Sequence, residues 1–85
     1  MQKLTYFYLK SCPYCRQADA LLAELRAEYP KYADVTVEKI EEEERKEIAD
    51  RYDYYYVPCF FLGKKKLFEG VPTKAEIQRV LEAAM

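Results

Sequence analysis

The hydrophobic pattern divides the chain into strand-like and helix-like stretches. Leu4-Thr5-Tyr6-Phe7-Tyr8-Leu9 is apolar or aromatic at nearly every position, which suits a strand covered on both faces. Ala18, Leu21, Leu22, Leu25 and Tyr29 then recur at helical spacing with Glu24, Arg26 and Glu28 between them, predicting a helix that opens at Cys12-Pro13 and ends at Pro30. Val35-Thr36-Val37-Glu38 alternates as a half-exposed strand does. The acidic run Glu41 to Glu44 fits the first turn of a short helix carried on by Ile48, Ala49 and Tyr52, where the helix dipole favours carboxylates. Cys59 to Leu62 reads as a strand, Gly63-Lys64 as a tight turn and Lys65 to Glu69 as the hairpin partner. A last helix opens with the capping pair Thr73 and Glu76 and buries Ile77, Val80, Leu81 and Ala84.

The order β-α-β-α-β-β-α predicts an α/β domain. Its first βαβ unit is parallel with a right-handed crossover, and a hairpin completes a four-stranded mixed sheet flanked by three helices. No repeat or linker interrupts residues 1–85, so one domain is expected. The net charge of −1 gives no electrostatic reason to expect nucleic acid or a membrane surface as partner. The apolar run Leu4–Leu9 is too short for a signal-peptide core or a membrane span, which points to the cytoplasm. In that compartment cysteines are more often reactive or metal-binding than stapled. With three cysteines and no histidine, the chain is short of the four ligands of a closed zinc site and has no Cys–His nucleophile pair.

Cys12-Pro13-Tyr14-Cys15 carries the chemistry. Cysteines three apart on a helical turn have Cα atoms about 5–6 Å apart, within disulfide reach. With Pro13 as the first helical residue, Cys12 is the N-cap, and its sulfur faces the amides of Tyr14 and Cys15. A thiolate accepts those hydrogen bonds better than a thiol, so the position favours the nucleophilic form, helped by the nearby cations Lys10 and Arg16. Such help matters, since a free cysteine is only roughly three per cent thiolate at pH 7. Cys15, one turn inside, is expected to be buried and to resolve the mixed disulfide that Cys12 forms. A purely structural bridge over four residues would contribute only about 2 kcal/mol, a weak staple.

Cys12-Pro13-Tyr14-Cys15 after a strand, with Val57-Pro58 after the second helix and a hairpin and helix beyond, resembles the dithiol glutaredoxins of the thioredoxin-like superfamily over essentially the whole chain. The resemblance implies a thioredoxin-like fold and a monomeric thiol–disulfide oxidoreductase that reduces protein or glutathione mixed disulfides. No bound cofactor is implied; glutathione is the expected co-substrate. It also implies a cis peptide at Val57-Pro58, with the Val57 backbone pairing to an extended substrate. The expected substrate-binding set is Lys10, Pro13, Tyr14, Tyr56, Val57, Pro58, Gly70 and Thr73. Where the family carries a glycine pair and an acidic residue for glutathione, this chain has Glu69-Gly70-Val71-Pro72-Thr73, which is more like a thioredoxin. The alternatives are therefore a redoxin served by a flavin thioredoxin reductase and, from another class, an iron–sulfur carrier using the first cysteine. Cys59, directly after Pro58, is expected to be a small buried hydrophobe.

Overall fold

The computed structural model describes residues 2–85. Its elements are β1 (Leu4–Tyr8), α1 (Pro13–Glu28), a 3-10 turn (Pro30–Asp34), β2 (Val37–Glu41), α2 (Lys46–Ala49), β3 (Cys59–Leu62), β4 (Lys65–Glu69) and α3 (Lys74–Ala83). The sheet order is β2-β1-β3-β4. β1 runs parallel to β2 and antiparallel to β3, and β3 and β4 form the hairpin. Gly63, in the hairpin turn, has φ +62, a conformation open to glycine at little cost. This is the expected four-stranded mixed sheet of the thioredoxin-like fold.

Strand alternation sends Leu4, Tyr6 and Phe60 to one face, where they pack with Leu22 and Leu25 of α1, Ile77, Val80 and Leu81 of α3, and Tyr32 and Val35. Phe7, Cys59 and Phe61 point the other way, towards Ile40, Ala49 and a cover of Ile48, Tyr52 and Tyr54. Phe7 stacks on Tyr54 with ring centroids 4.9 Å apart, so aromatic rings supply much of the roof that a four-residue α2 cannot.

Two boundaries depart from the sequence reading, while the first helix ends ahead of Pro30 as expected. The α1 helix stops at Glu28, and Pro30 opens the 3-10 turn, as a residue with fixed φ and no amide proton can. The second strand starts at Val37 rather than Val35. Val35 is instead a buried core residue whose carbonyl accepts from the Arg26 guanidinium at 2.5 Å. The acidic run is not the first turn of α2. Glu41 ends β2, residues 42–45 form a turn, and α2 begins only at Lys46. The Glu41 carboxylate folds back to accept from the amides of Glu43 (2.6 Å), Glu44 (3.2 Å) and Lys10 (3.3 Å). It thus ties this turn to the segment that leads into α1.

At α3, half of the predicted capping pair forms. The Glu76 amide donates to Thr73 Oγ1 at 3.2 Å, while the Glu76 carboxylate pairs with Arg79. Among the described residues, no helix is long and apolar enough to cross a membrane.

Candidate active site

The segment leaving β1 turns at residues 10–11 and enters α1 with Cys12 as N-cap and Pro13 in the first turn. Cys12 is partly exposed, and the Cys15 amide donates to its sulfur at 3.4 Å. Of the two amides expected there, the structure brings up that of Cys15. The helix N-terminus thus presents a backbone donor to this sulfur.

Cys15 lies one turn inside and is 1 % exposed. Burial pushes its thiol up to about 12, and the neighbouring Cys12 and Asp19 add to this, while a backbone contact at Leu9 acts the other way. The Tyr6 hydroxyl, from β1 beneath, donates to the Cys15 carbonyl at 3.0 Å. The two thiols of one motif therefore differ sharply: one at the surface facing an amide, one sealed beneath it.

Across from Cys12 stands the loop before β3. The Val57-Pro58 peptide is cis, as the resemblance implied, and the Val57 carbonyl oxygen lies 3.8 Å from Cys12 Sγ. Pro58 is buried, and its carbonyl accepts from the Gly70 amide at 3.0 Å, with Gly70 at φ +104. Glu69 supports the same loop: one carboxylate oxygen accepts from the amides of Tyr55 (2.8 Å) and Tyr56 (3.0 Å), and the other pairs with Lys66 at 2.7 Å. Burial opposes its ionisation, but Lys66 and the two amides prevail and hold the Glu69 carboxyl below its usual range. Sequence reasoning missed this brace. Only the position of Glu69 at the end of a predicted strand could have suggested it.

A family model described as Glutaredoxin matches residues 4–67. The chain belongs to the glutaredoxin family. That is a family of thiol–disulfide oxidoreductases. No curated protein matches the chain in sequence. Among solved structures, similar folds include the oxidised thioredoxin of Plasmodium falciparum at 15 % identity and TM-score 0.72, covering 98 % of this chain and 81 % of that one. The germline-specific thioredoxin Deadhead of Drosophila melanogaster is 20 % identical with TM-score 0.72, covering 98 % and 80 %. A protein disulfide oxidoreductase from Aeropyrum pernix is 28 % identical with TM-score 0.68, covering 96 % of this chain but 37 % of that one.

The glutaredoxin residues singled out from sequence fall into three groups. Cys12, Pro13, Val57 and Pro58 meet at the junction of α1 and the β3 loop, with Tyr14 (45 % exposed) and Tyr56 (68 % exposed) beside them in the chain. Gly70 joins through its bond to Pro58. Lys10 and Thr73 are occupied elsewhere: the Lys10 ammonium pairs with Glu44, and the Thr73 hydroxyl caps α3.

Cys59 is fully buried on the α2 side of the sheet, and burial, with a smaller contribution from Glu69, pushes its thiol up to about 12. An open cavity of about 460 Å³ lies further along that side, lined by Glu42, Lys46, Asp50 and Tyr52 among others, and does not include Cys12.

Proposed function

We propose that the chain reduces protein disulfides and glutathione mixed disulfides by dithiol exchange, with Cys12 as nucleophile and Cys15 as resolving thiol. The observation that carries this is the pairing of a partly exposed N-cap sulfur, faced by the Cys15 amide at 3.4 Å, with the Val57 carbonyl 3.8 Å away. The Cys12 thiolate attacks one sulfur of the substrate disulfide and expels the other as a thiolate. Cys15 then attacks Cys12 Sγ, expels the second substrate thiolate and leaves a Cys12–Cys15 disulfide. Two electrons pass to the substrate. A thiol donor returns them, so the reaction needs no resident cofactor; a cytoplasmic monomer is part of the same proposal.

The partly buried Val57, whose carbonyl faces Cys12, suits an extended substrate segment laid beside it as an added strand, with Tyr14, Tyr56 and Pro13 giving contact area. Gly70 supports the Val57-Pro58 corner from behind. Glutathione is the first candidate donor, by family.

A second reading has a flavin thioredoxin reductase as donor, and one observation favours it. Lys10, two residues before the motif, is taken by Glu44, and Lys66, behind the Val57-Pro58 loop, by Glu69, whereas glutathione brings two carboxylates of its own. Turnover of a small mixed disulfide is the test, with glutathione and glutathione reductase in one arm and thioredoxin reductase in the other. Turnover with glutathione supports the first reading, and turnover only with thioredoxin reductase supports the second. Full activity of Cys12→Ser in either arm overturns both.

A further inference from the structure

Residues 53–58 carry the carbonyl that faces Cys12, yet they form neither helix nor strand. Amides in such a stretch have no ladder to satisfy them, so other groups must fix its shape. Behind the corner, the Gly70 amide donates to the Pro58 carbonyl at 3.0 Å. Ahead of it the Glu69 carboxylate takes over, accepting from Tyr55 (2.8 Å) and Tyr56 (3.0 Å) through one oxygen. The following amide, that of Val57, donates to none of the described residues. The Val57 carbonyl lies 3.8 Å from Cys12 Sγ. Internal bonding therefore stops just short of the residue that faces the sulfur.

The hairpin is shaped to deliver this carboxylate. β3 pairs Phe60 with Phe68 and Phe61 with Lys66, so Leu67 has no partner and β4 bulges there. On an even strand, residues three apart point to opposite faces. The extra residue returns Glu69, opposite Cys59, to the face of Lys66, opposite Phe61. Their charged groups meet at 2.7 Å, and Lys66 takes the oxygen that the amides leave free. Charge-assisted bonds of this kind are stronger than neutral ones, which suits a carboxylate that orders a loop. The rings of Tyr55 and Tyr56 stay 80 % and 68 % exposed ahead of Val57. Two adjacent rings with that exposure offer a partner apolar area with a polar tip.

We propose that Glu69 is a positioning residue for polypeptide substrates: through the Tyr55 and Tyr56 amides it sets the backbone ahead of Val57 in the shape to which an extended segment pairs. This deepens the dithiol-exchange reading and rests on Cys12 as nucleophile. Glu69 touches neither the sulfur nor the substrate, so the bonds made and broken in exchange are unaffected. A small disulfide without a peptide backbone needs Cys12 alone and gains nothing from the brace. A peptide laid along Val57 binds only the ordered loop, and its apparent affinity falls in proportion to the fraction of time that loop is ordered. Removing Glu69 therefore separates the two substrate classes through binding rather than through chemistry.

Single-turnover release of thionitrobenzoate from two probes tests this. One is the symmetrical aryl disulfide, and the other is an extended peptide whose one cysteine carries thionitrobenzoate in a mixed disulfide. In Glu69→Ala the half-saturating peptide concentration should rise roughly three- to tenfold, with its limiting rate little changed. The rate with the aryl disulfide should also change little. Glu69→Gln keeps an oxygen for the two amides but loses the Lys66 ion pair, so its half-saturation should fall between those of Glu69→Ala and the unmodified protein. A purely structural loss would slow both probes together, and that result overturns the proposal. So does a peptide half-saturation that is unchanged in both variants. Release from both probes at the full rate in Cys12→Ser overturns the nucleophile assignment instead, so the two failures are distinguishable.

Discussion

The two faces of the sheet are built by different means. On one, α1 and α3 bring Leu22, Leu25, Ile77, Val80 and Leu81 against Leu4, Tyr6 and Phe60, and the buried set is large and mostly aliphatic. On the other, a single turn of helix and the rings of Tyr52 and Tyr54 cover Phe7, Ile40 and Phe61. The first face holds the helix that carries both motif cysteines. The second leads into the loop that presents Val57. What it lacks in aliphatic packing it replaces with polar braces: Glu41 on the amides of the 42–45 turn, Tyr54 on Glu42 at 2.6 Å, and Glu69 on the amides of Tyr55 and Tyr56. Cys12 thus sits on a side anchored by hydrophobic burial, and the Val57 carbonyl that faces it on a side anchored by hydrogen bonds. The two should respond to different insults.

Core truncation is the largest expected difference. Leu25→Ala, at a fully buried position under α1, should lose about 2–5 kcal/mol in urea denaturation. Ile48→Ala on the opposite face, at a partly exposed site, should cost about 2 kcal/mol or less. Similar losses would mean that the thin roof carries as much of the fold as the thick one.

Alkali comes next, because each side buries a thiol. Cys15 and Cys59 both hold their protons more tightly folded than unfolded, being pushed from about 9 up to about 12. Their contribution is therefore complete below about pH 9 and is lost as the pH climbs towards 12. Denaturation midpoints should fall over that window. Cys59→Ala should soften the fall, and an unchanged slope in that variant would mean that Cys59 contributes nothing to it.

The polar braces give a local effect. In Glu69→Gln, hydrogen exchange at the Tyr55 and Tyr56 amides should quicken while amides in α1 keep their protection. Acid should have a related effect at Glu41. Although burial raises it, the amides of Glu43, Glu44 and Lys10 hold this carboxyl below its usual range. Its support is present above the unfolded value near 4.5 and fades as the pH falls through the lower folded one. Exchange at the Glu43 and Glu44 amides, followed downwards in pH, would detect it. The smallest effect belongs to the thick side: Thr73→Ala should cost about 1 kcal/mol through the lost α3 cap. A loss several times larger would mean that Thr73 supports more than its own helix.

Sequence legibility follows the same division. The β1 strand, the Cys12 cap, the body of α1, the β3–β4 hairpin and the buried face of α3 were readable because periodicity and local chemistry agree there. The second strand and α2 were misplaced for the opposite reason. Val35 looks like a strand residue but is a core plug beside Arg26, and Glu41 looks like a helix-start carboxylate but caps a turn through its side chain. The brace from Glu69 and the Tyr6 contact with Cys15 join residues distant in the chain, and nothing in their neighbours' pattern announces them. Within the candidate site, the residues of the cysteine tetrad and the Val57-Pro58 corner could be named in advance. The engagement of Lys10 by Glu44 could not, since it depends on where the misread turn brings an acidic side chain.

The strand order has a consequence for how the molecule comes into being. β1 is synthesised first yet sits in the middle of the sheet, with Leu4 opposite Val37 on one side and Leu62 on the other. On a ribosome, where the chain emerges at about 5–20 residues per second, the cysteine motif is outside well before the strand that completes its sheet. During that interval Cys12 exists without the Val57 carbonyl that faces it, as a bare thiol on a half-built platform. Vectorial assembly therefore brings the tetrad out of the ribosome before the loop that carries its facing carbonyl.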